Sequence, residues 1–433
     1  MPKPQSKPDF ADSLAYLNPW TLTRYGWLVG RRGWERLWRA PGPNSRFFIA
    51  TTFIWSVAMA LTDPYKALYL SKLGLSNLAI GGFFALDMGL RVGGVLLGGL
   101  FAQRWGHKFT LLLFDALSWG VASLVLALAT EPWHIYLATC LTATNALVSG
   151  SVTQLLVEDT PQEKRAPTFA LFSLSFALPT LLLPLVTGQM IEHWGIIPVM
   201  RGLFALTSVM TLGGCWWRSH RMVESKAVTP QAGLQELFKS AAGTLEQLLK
   251  KPRFWAVLGL VLLFNSQMNL NKAWSGLFIT QSLKMNEALV GQMATAGAVA
   301  FVLVSLAWVP RLKPGASARL FFWVCALGAL PSLGLVWAGQ AWALVLLGFA
   351  GGVLGGLQGP LLSEHLADLL PVGREGLAQS LISCVMQVAV ALSLALGGAI
   401  FETRFNAFPW ILASLSLGMG AIAWRLARAP AVA

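Results

Sequence analysis

The 433 residues are 55% hydrophobic and only 12% charged, with a mean hydropathy of +0.60. That composition excludes an ordinary soluble domain and describes a polytopic helical membrane protein. The formal charge of +13 does not read as a nucleic-acid surface, because the basic residues gather at the ends of apolar runs on one side.

Taken in chain order, residues 1–12 are proline-rich and polar, and no continuous apolar core follows them. No cleavable signal peptide is expected, and the first true span serves as its own insertion signal. Trp20, Trp27, Trp34 and Trp38 then alternate with Arg24, Arg31, Arg32, Arg36 and Arg39. Such a mixture suits a helix lying in the headgroup layer, an orientation anchor within an N-terminal extension over 1–45. A bilayer core of about 30 Å takes about 20 apolar residues per helix. By that measure a first bundle, 46–217, has spans at about 46–71, 75–101, 108–129, 134–157, 166–191 and 196–217. A second bundle, 253–428, has spans at about 253–281, 286–309, 319–338, 341–364, 375–401 and 407–425, before a tail over 429–433. Between the bundles lies a polar linker, 218–252. There Thr229-Pro230 precedes Leu234, Leu237, Phe238, Ala241, Leu245 and Leu248 at helical spacing, the pattern of an amphipathic surface helix.

Arg46, Arg104, Lys108, Lys164, Arg165, Arg311, Lys313, Arg319, Arg374, Arg425 and Arg428 fall at one end of these spans. The other end carries little beyond Lys72, Arg201, Lys284 and Arg404. The positive-inside rule therefore places both termini in the cytoplasm, with the chain in the cytoplasmic membrane. The two bundles also repeat. Ser71–Asn77 parallels Gln281–Glu287, Glu158–Arg165 parallels Asp368–Arg374, and Gly188–Glu192 parallels Gly397–Glu402, which points to an internal duplication. Cys140, Cys215, Cys325 and Cys384 lie in apolar runs without C-x-x-C spacing, so neither a disulfide framework nor a zinc site is expected.

The link between the second and third spans, Gly98 to Lys108, is glycine-rich and basic, as a tight hairpin at the cytoplasmic surface requires. It resembles the corresponding loop of the major facilitator superfamily, G-x-x-x-D-R-x-G-R-R. Gly99, Arg104, Gly106 and Lys108 match, His107 fills one basic slot, and Gln103 replaces the aspartate. In the fifth span Pro184 and Gly188 partly echo the antiporter pattern G-P-x-x-G-G, with Leu183 and Thr187 replacing glycines, and the fourth span lacks the intramembrane arginine of many proton-driven relatives. The resemblance implies an all-α polytopic membrane protein of twelve transmembrane helices in two pseudo-symmetric six-helix bundles. It also implies alternating access, with helices one, four, seven and ten lining a central cavity.

Charge inside the hydrocarbon costs about 2.5–3.5 kcal/mol per residue, so each intramembrane ionisable group needs a partner or a wet cavity. Asp63 and Lys66 share a face of the first span beside the helix-breaking Pro64, and Asp87 and Arg91 share a face of the second. Asp115 lies in the third, Asn145 in a polar stripe of the fourth, and Asn269 and Lys272 in the seventh. The repeat and the resemblance together aim Asp63, Lys66 and Lys272 at a substrate or proton path, with Asp63 as the proton carrier. Asp87 with Arg91 suits a helix-pinning ion pair as well as a functional one, and Asp115 is open between the two. Gly99, Arg104, Gly106, Lys108, Glu158, Asp159, Arg165, Glu364, Asp368 and Arg374 are expected at the cytoplasmic gate, with His365 beside them in a structural role.

No nucleotide loop, metal-ligand set or nucleophile–base pair stands out, so neither an enzyme nor a cofactor is expected. The expected partners are membrane lipids, a small-molecule substrate and protons, with no nucleic acid, and the chain is expected to be a monomer. The leading expectation is a secondary active transporter moving a small organic or amphipathic molecule, by proton-coupled efflux. The alternatives are a flippase-like transporter of a lipid or lipid-linked substrate, and a non-transporting membrane receptor or enzyme.

Overall fold

The computed structural model describes residues 38–224, 243, 246–308, 317–367 and 375–428, and these are helical with no strand among them. In the first half α1 is Pro43–Lys72, α2 Asn77–Trp105, α3 His107–Ala127 and α4 Pro132–Leu156. α5 runs through Arg165–Thr180 and Leu183–Trp194, and α6 is Ile196–Arg221. The second half repeats the series: α7 Pro252–Leu277, α8 Ala288–Ala307, α9 Ser317–Gly334, α10 Ala341–Ala367, α11 Glu375–Thr403 and α12 Phe408–Arg428. Among the described residues, eleven helices are long and apolar enough to cross a membrane. α7, with 26 residues, has the length but not the composition, because it carries Asn265, Gln267, Asn269, Asn271 and Lys272. The tryptophan-rich segment before Trp38 and most of the amphipathic stretch expected within the linker 218–252 lie outside the described residues.

The expected helix breaks occur where backbone chemistry demands them. Pro64 has no N–H to donate, and Asp63–Tyr65 forms a 3-10 turn in the middle of α1. Gly74 (φ 95°), Gly106 (φ 88°) and Gly195 (φ 79°) take left-handed turns that a side chain would strain. Lys284, at φ 56°, stands at the position of the second half that corresponds to Gly74 in the first, so the duplicated backbone keeps its turn even where glycine is gone. Gly106 makes the turn between α2 and α3. Gly99, expected at the hairpin, lies inside α2 facing open space, and the close approach of α2 to α4 is made by Gly94 and Gly98 against Ala146 and Leu147.

The two halves meet at the end of the bundle away from the chain termini. α2 crosses α11 where Gly81 touches Gly398, and α5 crosses α8 where Gly188 and Gly291 leave room for Ala288 and Pro184. Gly81 and Gly188 stand 210 positions before Gly291 and Gly398, so the two crossings are copies of one contact. Ser71 and Gln281, themselves a pair under that offset, hydrogen-bond each other at 2.9 Å near the pseudo-axis. Polar contacts finish the seal: Asn286 to Glu192 at 2.8 Å, the Leu78 backbone N–H to Glu402 at 2.9 Å, and Lys72 with Glu287 at 2.9 Å.

Burial follows the same division. At the sealed end one apolar core runs through both halves, with Tyr65, Tyr69 and Phe83 beside Trp274, Phe278 and Phe401. At the basic end each half keeps its own core, around Phe48, Leu111 and Leu155 in one and around Val257, Phe321 and Met419 in the other. Among the described residues the apolar core is thus shared by the halves at one end and separate in each at the other. Any Cβ at position 291 would collide with the Pro184 carbonyl and the Tyr65 hydroxyl. Gly291→Val should therefore lift α8 off α5. Membrane-impermeant maleimide applied at the closed end is expected to label a reporter Ala294→Cys, in a cysteine-free background, several-fold faster with the valine than without it.

Candidate functional site

Between the halves lies a cavity of about 810 Å³, within the range of ligand-binding cavities. Its walls come from α1, α5, α7, α8 and α10, with an arm reaching α9 and α12. Met59, Phe176, Met268, Met293, Phe301 and Leu354 make them largely apolar. The charged lining groups are Asp63 and Lys272. Asp63 is carried at the break in α1, Lys272 projects from α7 in the other half, and the Lys272 Nζ donates to Asp63 Oδ2 at 2.7 Å. Lys272 is 59% exposed and Asp63 22%, so water screens the pair and its worth as a structural tether is small. What it does is neutralise the cavity while linking the two halves.

The other intramembrane groups expected along the path are placed elsewhere. Lys66 leaves the cavity: its Nζ lies 5.1 Å from the Phe83 ring centroid and 6.0 Å from that of Phe84, both on α2. The long side chain bends from α1 onto that aromatic face instead of following Asp63. Asp87 is buried and accepts from Arg91 Nε at 3.1 Å, one turn along α2, and neither lines the cavity.

Asp115 is a clamp rather than a path residue. Arg218, from the end of α6, donates to it at 2.8 Å, to Thr51 Oγ1 at 2.7 Å and to Thr52 Oγ1 at 2.9 Å, with its guanidinium 4.7 Å from the Phe48 ring centroid. In the sequence Arg218 stands at the first position of the polar linker, 218–252. Its signal was the need of Asp115 for a buried counter-charge within the same bundle. Removing one member of a buried ion pair strands the other. Asp115→Leu should lower stability by about 3–5 kcal/mol, and the double substitution D115L/R218L should recover most of the loss, as read by thermal unfolding of the purified protein.

The expectation that α4 lines the cavity is not met. Its threonines turn back on their own helix, Thr139 to the Ile135 carbonyl and Thr142 to that of Ala138, both at 2.8 Å. Its small residues pack on α2, and Asn145 stays outside the cavity lining. α5 and α8 supply wall in its place. Asn269 likewise turns away and donates to the Asn265 carbonyl at 2.8 Å, while Gln267 and Asn271 of the same helix line the cavity. Residues 267 and 271 are one turn apart, whereas 269 lies about half a turn round.

At the basic end, residues expected to bridge the halves hold helix ends within one half. Asp159, just past α4, accepts the backbone N–H groups of Asn44 at 2.7 Å and Ser45 at 3.2 Å, and also the Ser45 hydroxyl. It thus caps the N-terminus of α1 from another helix, where the dipole favours a carboxylate. Lys108 donates to the carbonyls of Ser219 at 2.8 Å and Met222 at 2.6 Å, the reciprocal arrangement at the C-terminus of α6. Arg104, Glu158 and Arg165 are exposed, Glu364 is half-buried, and His365 is buried with its ring centroid 5.9 Å from that of Phe321. Asp368 and Arg374 lie outside the described residues. Asp159→Ala should cost about 1 kcal/mol through the lost cap and speed proteolysis before α1, measurable by limited digestion at the basic end.

Residues 2–182 match the family model of the Major Facilitator Superfamily. A curated relative, the multidrug resistance protein MdtG of Escherichia fergusonii, is 26% identical over 166 residues, 37% of this chain and 40% of the relative. The match thus spans about two fifths of that relative's length. Among solved structures, a variant of the nucleoside transporter NupG superimposes with a TM-score of 0.70 at 12% identity, over 88% of this chain and 99% of that one. The peptide transporter POT, in complex with sulfate, gives a TM-score of 0.70 at 15% identity, over 89% of this chain and 94% of that one. At these identities the likeness is one of fold.

Proposed function

We propose that this chain, whose residues 2–182 match the Major Facilitator Superfamily model and whose fold is shared with the transporters NupG and POT, is a transporter of that superfamily and exports a small amphipathic molecule in exchange for protons by alternating access. The observation that carries the reading is the ion pair of Asp63 and Lys272, which joins the halves inside a largely apolar cavity that is sealed at one end. The same geometry gives the transport cycle its parts. The sealed end has its basis in two symmetry-related glycine crossings, which the halves leave as they rock and close at the basic end. With the basic residues on the cytoplasmic side, the divided end admits substrate from the cytoplasm.

Coupling follows from the pair. When the halves separate around the cavity, Asp63 and Lys272 part, which leaves the Asp63 carboxylate open to a proton or to the substrate. Protonated Asp63 no longer holds Lys272, so the proton and the cross-half tether exclude one another. Similarity to a relative named for multidrug resistance and the apolar walls both support an amphipathic drug-like substrate.

The test is purified protein in liposomes with a lumenal pH dye, challenged with cationic drugs, neutral drugs, sugars, amino acids and lipids. Wild type is expected to move protons in response to an amphipathic drug, and Asp63→Asn to lose at least about tenfold of that flux, about 1.4 kcal/mol in the rate-limiting barrier, while still binding the drug. Drug binding without proton flux in either protein would overturn coupling, and flux driven by lipids alone would hand the site to a flippase.

A further inference from the structure

The cavity is lopsided. Its arm enters the second bundle between α7, α9, α10 and α12, while α3 and α6, the counterparts of α9 and α12, contribute no wall. The duplication shows why. In the first bundle Trp55 and Trp119 pack edge to face at 4.7 Å, and Trp55 meets Phe176 at 5.4 Å, filling the space. The residues at the corresponding positions of the second bundle, 210 further on, are Asn265, Ala329 and Met386, which leave it open.

The open space is lined by neutral polar groups. Gln267 donates its Nε2 to Ser416 Oγ at 2.5 Å and to the Leu412 carbonyl at 3.4 Å, which leaves Oε1 enclosed and without a partner. Gly328 lets the Gln358 amide and Ser416 come together: a Cβ on it would stand 3.1 Å from Gln358 Nε2 and 3.5 Å from Ser416 Oγ. Gln358 is buried to 4% exposure and Ser332 to 8%, and both line the cavity. The positions corresponding to Gln267, Gln358, Ser332 and Ser416 in the first bundle are Val57, Val148, Ala122 and Leu206, so the fold does not require polarity there. An enclosed carbonyl oxygen with no donor is an unfavourable state that a donor would relieve.

From this lopsided, uncharged arm we infer that it is a specificity subsite for an uncharged hydrogen-bond-donating head, a hydroxyl or amide N–H, on an amphipathic substrate. The inference rests on the transporter reading above and narrows it: Asp63 and Lys272 neutralise each other, the remaining polar lining is amide and hydroxyl, and so the cavity selects neutral amphipaths with donors over lipophilic cations without them. The Gln267 amide turns its enclosed Oε1 toward the arm to accept from the head as the head enters, Gln358 and Ser332 complete its hydrogen bonds, and the apolar part lies against Met268, Met293 and Phe301.

Two radiolabelled probes separate the ideas in nanodisc-embedded protein: chloramphenicol, neutral with two hydroxyls and an amide N–H, and tetraphenylphosphonium, a permanent cation without a donor. Gln267→Met and Gln358→Met are each expected to weaken chloramphenicol binding at least about tenfold and to leave the phosphonium within about twofold. Gly328→Leu, which fills the arm without touching Asp63 or Lys272, should do the same, and thermal unfolding checks that each variant is folded. Unchanged chloramphenicol affinity, or equal loss for both probes in folded variants, overturns the subsite. A wild type that binds only the phosphonium overturns it too while the transporter reading stands. A wild type that binds neither probe brings down the amphipathic-substrate reading along with it.

Discussion

Two backbone-to-backbone crossings, α2 on α11 and α5 on α8, hold the rest of this molecule in place. Lipid tails are as apolar as leucine, so helices in a membrane gain little from hiding apolar surface against each other and associate through close packing. Glycine at positions 81, 188, 291 and 398 permits that closeness, and the joint core around Tyr65, Trp274 and Phe401 grows outward from it. Because the contact occurs twice, related by the internal duplication, the seal is symmetric, and the cavity beneath it is bounded by both halves.

Beneath the seal, the charged residues sort by how much water reaches them. Asp115 and Arg218 are enclosed, multiply hydrogen-bonded and confined to one half, as a clamp must be. Asp63 and Lys272 are partly wet and joined across the halves by one hydrogen bond. Asp159 and Lys108 serve helix ends, where the backbone leaves N–H and C=O groups unpaired. The same residue types thus do three different jobs according to solvent access and the element that faces them.

Duplication also makes the departures from symmetry informative. The backbone turn at Gly74 survives at Lys284 although the residue changed, so the fold constrains that position strongly. The aromatic plug of Trp55, Trp119 and Phe176 gives way at the corresponding positions of the second half to Asn265, Ala329 and Met386, and Gln267, Gln358 and Ser332 line the space left open. Shape is held in common between the halves, and cavity chemistry is not.

By itself the sequence determined the membrane class, the span positions to within a few residues, the duplication and the presence of Asp63 and Lys272 as charges too costly to bury alone. These are legible because run length, periodicity and charge are local properties that the bilayer converts directly into structure. Only the tertiary structure decided that Lys66 turns to Phe83, that Asp115 belongs to Arg218, that Asp159 caps α1, that Gly94 and Gly98 rather than Gly99 meet α4, and that α4 stays out of the cavity. Each of these depends on which face of one helix meets a helix up to a hundred or so residues away, and that is set by helix rotation and mutual packing, which the spacing of residues along the chain does not encode.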